Sequence, residues 1–285
     1  MSDRPTAKAP SLAHFSEELD FREFERRGWE RAAAPYHRGF SRLVPLTAQA
    51  LVHQAHIVPG ERVLDVATGP GYAAAAAALR GARVLGVDIA EAAVSLAQEQ
   101  HPGLEVRLGD AEALELPDAS FDAVLLNYAL PHLSDPDKAL REAYRVLKPG
   151  GRVAFSSWAR PEEALGFGLI ERALAQFGKT SIALPEGPDF HRFSEPGENL
   201  RSLSEAGFKQ AESSLFEQFW RLSGPQEALD AFLEGSVRLA ARLKAQSAED
   251  LAGIRTRLEQ DLEPYRVGEE FLLPMNATLA LGVKS

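Results

Sequence analysis

Between residues 62 and 157 short apolar runs alternate with stretches whose apolar positions recur every three to four residues, which is the signature of a parallel, doubly wound sheet. Strands are predicted at 62–67, 83–87, 105–108, 121–126 and 152–157, with helices at 72–79 and 91–100 and a further one from Asp135-Pro136 onward. The run F-D-A-V-L-L at 121–126 is apolar enough for a central strand covered on both faces. The punctuation agrees with this reading. His101-Pro102-Gly103 stops a helix, Asp135-Pro136 supplies an N-cap acid and a proline at the first helical position, and Lys148-Pro149-Gly150-Gly151 turns the chain into the fifth strand.

Outside this stretch the period is mostly helical. Phe21, Phe24, Trp29, Ala33, Tyr36 and Phe40 recur within the charged segment 17–46 and predict one or two amphipathic helices, followed by another over 47–57. Downstream, a helix is predicted over 161–177, a Gly/Pro/Ser-rich loop over 178–197, a helix over 199–206 and a strand over 213–222. From 225 to 262 two helices are predicted. One carries Leu229, Phe232, Leu233, Leu239 and Leu243; the second carries Leu251, Ile254, Leu258 and Leu262, and Ser247 with Asp250 form a capping-box-like start for it. An apolar strand at 277–283 closes the chain. The expected class is α/β: a doubly wound, mostly parallel seven-stranded sheet with an N-terminal helical cap and a helical insertion before the last strand. The expected division is a disordered 1–18, a helical cap 19–60, a core of 61–224 with 273–285, and a helical lid insertion 225–272.

Charge narrows the partners. The 285 residues hold 31 basic and 41 acidic side chains, a formal net charge of −10, so nonspecific attraction to a phosphate backbone is absent and nucleic acid is not an expected substrate. There is no cysteine, which excludes disulfides, thiolate metal sites and a cysteine nucleophile and is compatible with a reducing compartment. Residues 1–18 lack the basic start and apolar stretch of a secretory signal, and no apolar run approaches the roughly 20 residues that span a bilayer. A cytoplasmic protein without membrane contact, monomeric or homodimeric, is expected.

The chemistry concentrates at strand ends. A glycine turn such as 67–71 serves many nucleotide ligands, but Asp65 beside it would repel a pyrophosphate and suit S-adenosylmethionine, which carries a sulfonium and an ammonium and no phosphate. Asp88, about 20 residues on, suits ribose hydroxyls, and Asp110 with the Ala111 N–H suits an adenine edge. Three strand ends of a parallel sheet lie side by side, so these acids converge.

The segments V-L-D-V-A-T-G-P-G at 63–71, V-L-G-V-D-I-A at 84–90, G-D-A-E-A-L-E-L-P at 109–117, S-F-D-A-V at 120–124 and R-V-L-K-P-G-G at 145–151 together resemble the class I S-adenosylmethionine-dependent methyltransferases, particularly the small-molecule group that includes quinone-biosynthesis enzymes. The resemblance implies S-adenosylmethionine as cofactor and S-adenosylhomocysteine as product. It implies cofactor contacts from Asp65, Ala67, Thr68, Gly69, Gly71, Asp88, Ile89, Asp110 and Ala111, with Asn127 near the sulfonium. Ala67 stands where the family usually has its first glycine, and Pro70 removes one donor from the turn. Trp29, Ala33 and Tyr36 are similar to a cap-helix stretch whose tyrosine closes over the methionine end; a core aromatic is the alternative for Tyr36. His132 follows the fourth strand where relatives often carry a histidine, and it is the candidate general base, against the alternative that it packs or caps the Asp135 helix.

No metal is expected, because His53 and His56 at helical spacing lack a third ligand motif. Trp158 and His191 are candidates to line an acceptor pocket. The implied partner is a small-molecule acceptor methylated on O, N or C: a phenol, a quinone precursor or another metabolite. The alternative is a cofactor-binding protein or cyclase on the same fold.

Overall fold

The computed structural model of the protein describes residues 20–285; the disorder expected at 1–18, and the start of a helix expected at 17, fall outside these residues. The chain opens with two helices, α1 (Phe21–Phe40) and α2 (Val44–Gln54). The Asp20 carboxylate caps α1 by accepting the Glu23 N–H at 2.8 Å.

The predicted alternation follows as β1 (Arg62–Val66), α3 (Tyr72–Leu79), β2 (Arg83–Asp88), α4 (Glu91–Gln100), β3 (Glu105–Leu108), β4 (Phe121–Asn127), α5 (Pro136–Val146) and β5 (Leu147–Trp158). The remaining elements are α6 (Leu165–Phe177), α7 (Pro196–Glu205), β6 (Lys209–Phe216), β7 (Phe219–Leu222), α8 (Pro225–Gly235), α9 (Arg238–Lys244), α10 (Ala248–Leu262), β8 (Arg266–Val267), β9 (Glu270–Pro274) and β10 (Ala277–Val283).

Seven strands form one sheet in the order β3-β2-β1-β4-β5-β10-β6. The first five are parallel, and β10 runs antiparallel between β5 and β6. Strand order reverses between β1 and β4, and such a switch point opens a crevice at the carboxyl ends of the strands.

Alternation along β4 shows why the sheet is covered twice. Ala123 and Leu125 pack with Ala48 and Leu51 of α2 and Ala73 and Ala77 of α3. Val124 and Leu126 pack with Leu140 and Val146 of α5 and Leu203 of α7. The alanines of α3 let that helix lie close to the sheet, and each buried leucine contributes about 2 kcal/mol. A third cluster, with Phe40, Trp158, Phe167, Trp220 and Phe232, fills the space between α1, the carboxyl end of β5 and the segment after β7.

Several boundaries differ from the sequence expectation. The strand expected over 213–222 is cut at Gln218, and β7 joins a separate three-stranded sheet of order β7-β9-β8. The cause is a buried amide. Gln218 Nε2 donates to the Tyr128 hydroxyl at 2.9 Å and to the Met275 carbonyl at 2.8 Å, and its Oε1 accepts from Thr47 at 2.9 Å. Satisfying that amide outweighs continuing the strand.

The first helix expected after 225 is two helices, because Ser236 Oγ donates back to the Phe232 carbonyl and accepts the Ala240 N–H at 3.0 Å, closing α8 and starting α9. The segment expected to be a purely helical insertion also contains β8 and the greater part of β9. Smaller shifts place α2 at Val44–Gln54 and start α6 at Leu165 and β5 at Leu147. The reciprocal Ser247–Asp250 capping box of α10 is present.

Candidate functional site

The turn after β1 is built from alternating left-handed residues: Ala67 at φ 53°, Gly69 at φ 52° and Gly71 at φ 84°. An alanine in that region carries about 1 kcal/mol of backbone strain that a glycine would not. The sharp reversal leaves the N-terminus of α3 facing the crevice.

Asp65, 1% exposed, lies beneath this turn. Its Oδ2 accepts from Thr68 Oγ1 at 2.6 Å and from the Ala74 N–H at 2.8 Å, while its Oδ1 is buried with no hydrogen-bond partner. Burial pushes the Asp65 carboxyl up to about 7, with Thr68 and Ala74 opposing and the nearby Asp88 charge adding to the rise. Asp88 ends β2 and is also buried, which raises its carboxyl; its Oδ2 accepts the Gly69 N–H at 2.8 Å and its Oδ1 the Ala90 N–H at 3.0 Å. Asp88 therefore braces the turn as well as facing the cleft.

Beyond β3, Asp110 Oδ1 accepts the Glu112 N–H at 2.9 Å, and its other oxygen pairs with the Arg22 guanidinium of α1. This pairing was not legible in the sequence, because nothing in the spacing says where α1 lands.

A cleft of about 1060 Å³ opens above these strand ends. Tyr36, Ala67, Thr68, Gly69, Asp88, Ile89, Asp110, Ala111, Asn127 and His132 all line it. Asp65 and Gly71 do not reach its wall. The first is held under the turn by Thr68 and Ala74, and the second caps α3, where a Cβ would stand 3.0 Å from the His101 ring. An unpartnered buried carboxylate oxygen beneath the turn, a buried strand-end acid beside it and no cationic side chain within residues 63–71 fit a ligand that is cationic and lacks phosphate.

After β4, Asn127 Oδ1 accepts from Ser156 Oγ at 2.8 Å. Tyr128, which the sequence reading did not single out, is held at φ 57° and is almost fully buried. Its ring stacks on Trp158 at 4.0 Å between centroids, and its hydroxyl meets Thr47 at 2.7 Å and Gln218 at 2.9 Å. An aromatic directly past a central strand's carboxyl end is the signal that could have found it.

The chain then makes a 3₁₀ turn, Leu130–His132. His132 does not cap α5; the Asp135 carboxylate does that, accepting the Lys138 N–H at 2.8 Å. Instead, His132 Nδ1 lies 3.0 Å from Glu25 Oε2, and its ring meets Trp29 edge-on at 4.9 Å.

A second chamber of about 910 Å³, walled by Phe40, Phe167, Phe190 and Phe232 and reached by His191, adjoins the first. Trp29, Tyr36, His132 and Trp158 belong to the walls of both. Burial raises the Tyr36 phenol well above its ordinary value, so it remains a hydrogen-bond donor near neutral pH. Burial also lowers the His191 imidazole, whose Nδ1 has no partner. Among the described residues no helix is long and apolar enough to cross a membrane.

Comparison with known proteins agrees with this geometry. Residues 64–155 match the methyltransferase domain family. A ubiquinone biosynthesis O-methyltransferase of Pseudomonas putida (strain GB-1) is 36% identical over 189 residues, 62% of this chain and 76% of that protein. A demethylmenaquinone methyltransferase of Renibacterium salmoninarum is 38% identical over 104 residues, 36% of this chain and 44% of that one. In fold, the chain is similar to the Haemonchus contortus phosphoethanolamine N-methyltransferase 2, with a TM-score of 0.56 at 20% identity over 95% of this chain and 61% of the other.

Proposed function

The chain belongs to the class I S-adenosylmethionine-dependent methyltransferases, and we propose that it methylates a hydroxyl of a small, planar, largely apolar acceptor, with His132 as the base that takes the hydroxyl proton. The observation that carries this reading is the wall shared by the two cavities, where Trp29, Tyr36, His132 and Trp158 stand between the cofactor cleft and the aromatic chamber. A methyl group passing from one cavity to the other crosses this wall, and of these four side chains His132 is the one with a ring nitrogen whose lone pair can accept a proton.

Bound S-adenosylmethionine supplies an electrophilic methyl on a sulfonium sulfur. The residues proposed to hold it are Asp88 at the ribose, Asp110 and Ala111 at the adenine, the Ala67–Gly71 turn behind the amino-acid portion and Tyr36 over it. Asp65 acts from beneath, where a cationic ligand favours the ionised form of a carboxyl whose Oδ1 has no partner of its own. In the chamber the aromatic side chains hold the acceptor ring and exclude water. His132 Nε2 would take the hydroxyl proton as the acceptor oxygen is methylated, with S-adenosylhomocysteine as the co-product. Alignment and desolvation supply the rest of the acceleration. The helices before β1 and the segment 225–272 act as the lid.

The test is methyl transfer from isotope-labelled cofactor to a panel of phenols, catechols, quinols and amines. Transfer to hydroxyl oxygen, reduced about 100-fold or more in His132→Ala with cofactor affinity retained, is the expected result. Transfer to carbon or nitrogen only, or an unimpaired His132→Ala enzyme, overturns it.

A further inference from the structure

We infer that Glu25 is a positioning residue for His132: its carboxylate, held by Arg238, fixes the imidazole tautomer that leaves Nε2 free to accept a proton. The inference rests on the reading of His132 as the base. Glu25 lies on α1, far from His132 in sequence, and its side chain is 4% exposed. The two carboxylate oxygens are divided. Oε2 faces His132 Nδ1 at 3.0 Å, and Oε1 accepts from Arg238 Nε at 3.0 Å.

Each guanidinium nitrogen of Arg238 makes a hydrogen bond. Its other two nitrogens donate to the Pro188 and Pro131 carbonyls, each at 2.7 Å, and its guanidinium lies 4.3 Å from the Phe21 ring centre and 5.8 Å from that of Phe190. The guanidinium compensates the buried charge of Glu25, without which a carboxylate in this apolar wall would be costly.

An ionised carboxylate can only accept hydrogen bonds, so in the neutral ring the proton sits on Nδ1 and the lone pair on Nε2. Nε2 makes no hydrogen bond to any described residue, and the ring borders both cavities. When Nε2 takes the acceptor proton, the imidazolium that forms already has its counter-charge 3.0 Å away.

The same contacts join α1, the turn after β4, the segment around Pro188 and α9. The tautomer is therefore set only while α1 is docked, which couples closure of the site to readiness of the base.

Histidine-labelled protein, read by long-range proton–nitrogen correlation spectroscopy, reports the tautomer of His132 directly, with His132→Ala assigning the signal. The wild type is expected to show the proton on Nδ1. In Glu25→Gln, Arg238 still requires the single amide oxygen, so the amide NH₂ turns toward Nδ1. The tautomer inverts, and kcat falls about 100-fold or more while cofactor affinity and acceptor KM stay within about threefold. Glu25→Asp, which keeps the charge, is expected to restore the native tautomer and part of kcat. Should Glu25→Gln fail to fold, Glu25→Gln combined with Arg238→Met removes the unmatched cation, and mixed tautomers are expected there.

A wild-type proton on Nε2 overturns the inference. So does full kcat in Glu25→Gln when His132→Ala has lost it, or an unmixed native tautomer in the double variant. Full activity in His132→Ala overturns the base reading itself, and the spectrum separates the two failures because it needs no turnover.

Discussion

Asp65 shows how burial of one carboxyl ties stability to pH. Its carboxyl, ordinarily at 3.8, is pushed up to about 7 by burial in the folded chain. Between those values the folded protein holds a proton that the unfolded chain has released. The contribution of this group to stability is therefore present below about pH 4 and is lost as pH rises toward about 7. Asp65→Asn keeps an acceptor for Thr68 and Ala74 without the buried charge. Thermal melting is expected to show the variant more stable than the parent by about 2 kcal/mol at pH 8, with the difference shrinking toward pH 5. Calorimetry is expected to show its S-adenosylmethionine affinity reduced at least tenfold. A more stable protein that binds the cofactor as before would remove Asp65 from the site. Tyr128 belongs to the same scale, since its left-handed backbone is kept by Trp158, Thr47 and Gln218 together, and no one of these partners is adjacent in sequence.

Among the elements, α1 is the one whose docking decides the site. Its Glu30 carboxylate accepts the Glu91 and Ala92 N–H groups at 2.9 and 3.0 Å, serving the open N-terminus of α4 from a different helix. Gly39 fits the helix against α8, since a Cβ there would stand 2.7 Å from that of Ala231. Glu30→Ala removes both caps of α4 and loosens α1 with them. Urea unfolding is expected to show a loss of about 1–2 kcal/mol, and stopped-flow release of the cofactor is expected to be faster than in the parent. Unchanged release with lowered stability would mean that α1 does not gate the cleft. The order of α1 through β5 was readable from hydrophobic period and turn residues. The break at Ser236 and the cut at Gln218 were not, because each is set by a side chain meeting a partner remote from it or by its own local cap.

Across the fold, the Arg22–Asp110 pair and the Glu25–Arg238 contacts hold α1 over the cleft. Hydrogen exchange is expected to show α1 opening more readily than β1 and β4 in the unliganded protein. Saturation with the cofactor is expected to slow exchange in α1 most and to add about 2.7 kcal/mol to global stability at a hundredfold excess over its Kd. Protection confined to the sheet would rule α1 out as the moving part.

The doubly wound core and the placing of acids 65, 88 and 110 at strand ends were legible along the chain, because period, glycine turns and strand-end charge are local properties. It also marked Ala67 as the departure in the turn. The position of Asp65 beneath that turn, the pairing of Asp110 with Arg22, and the contacts of Glu25 with His132 and Arg238 come from the packing alone. Those outcomes depend on where α1, α9 and the loop before α7 come to rest. Packing of apolar faces fixes that placement, and no spacing along the chain encodes it.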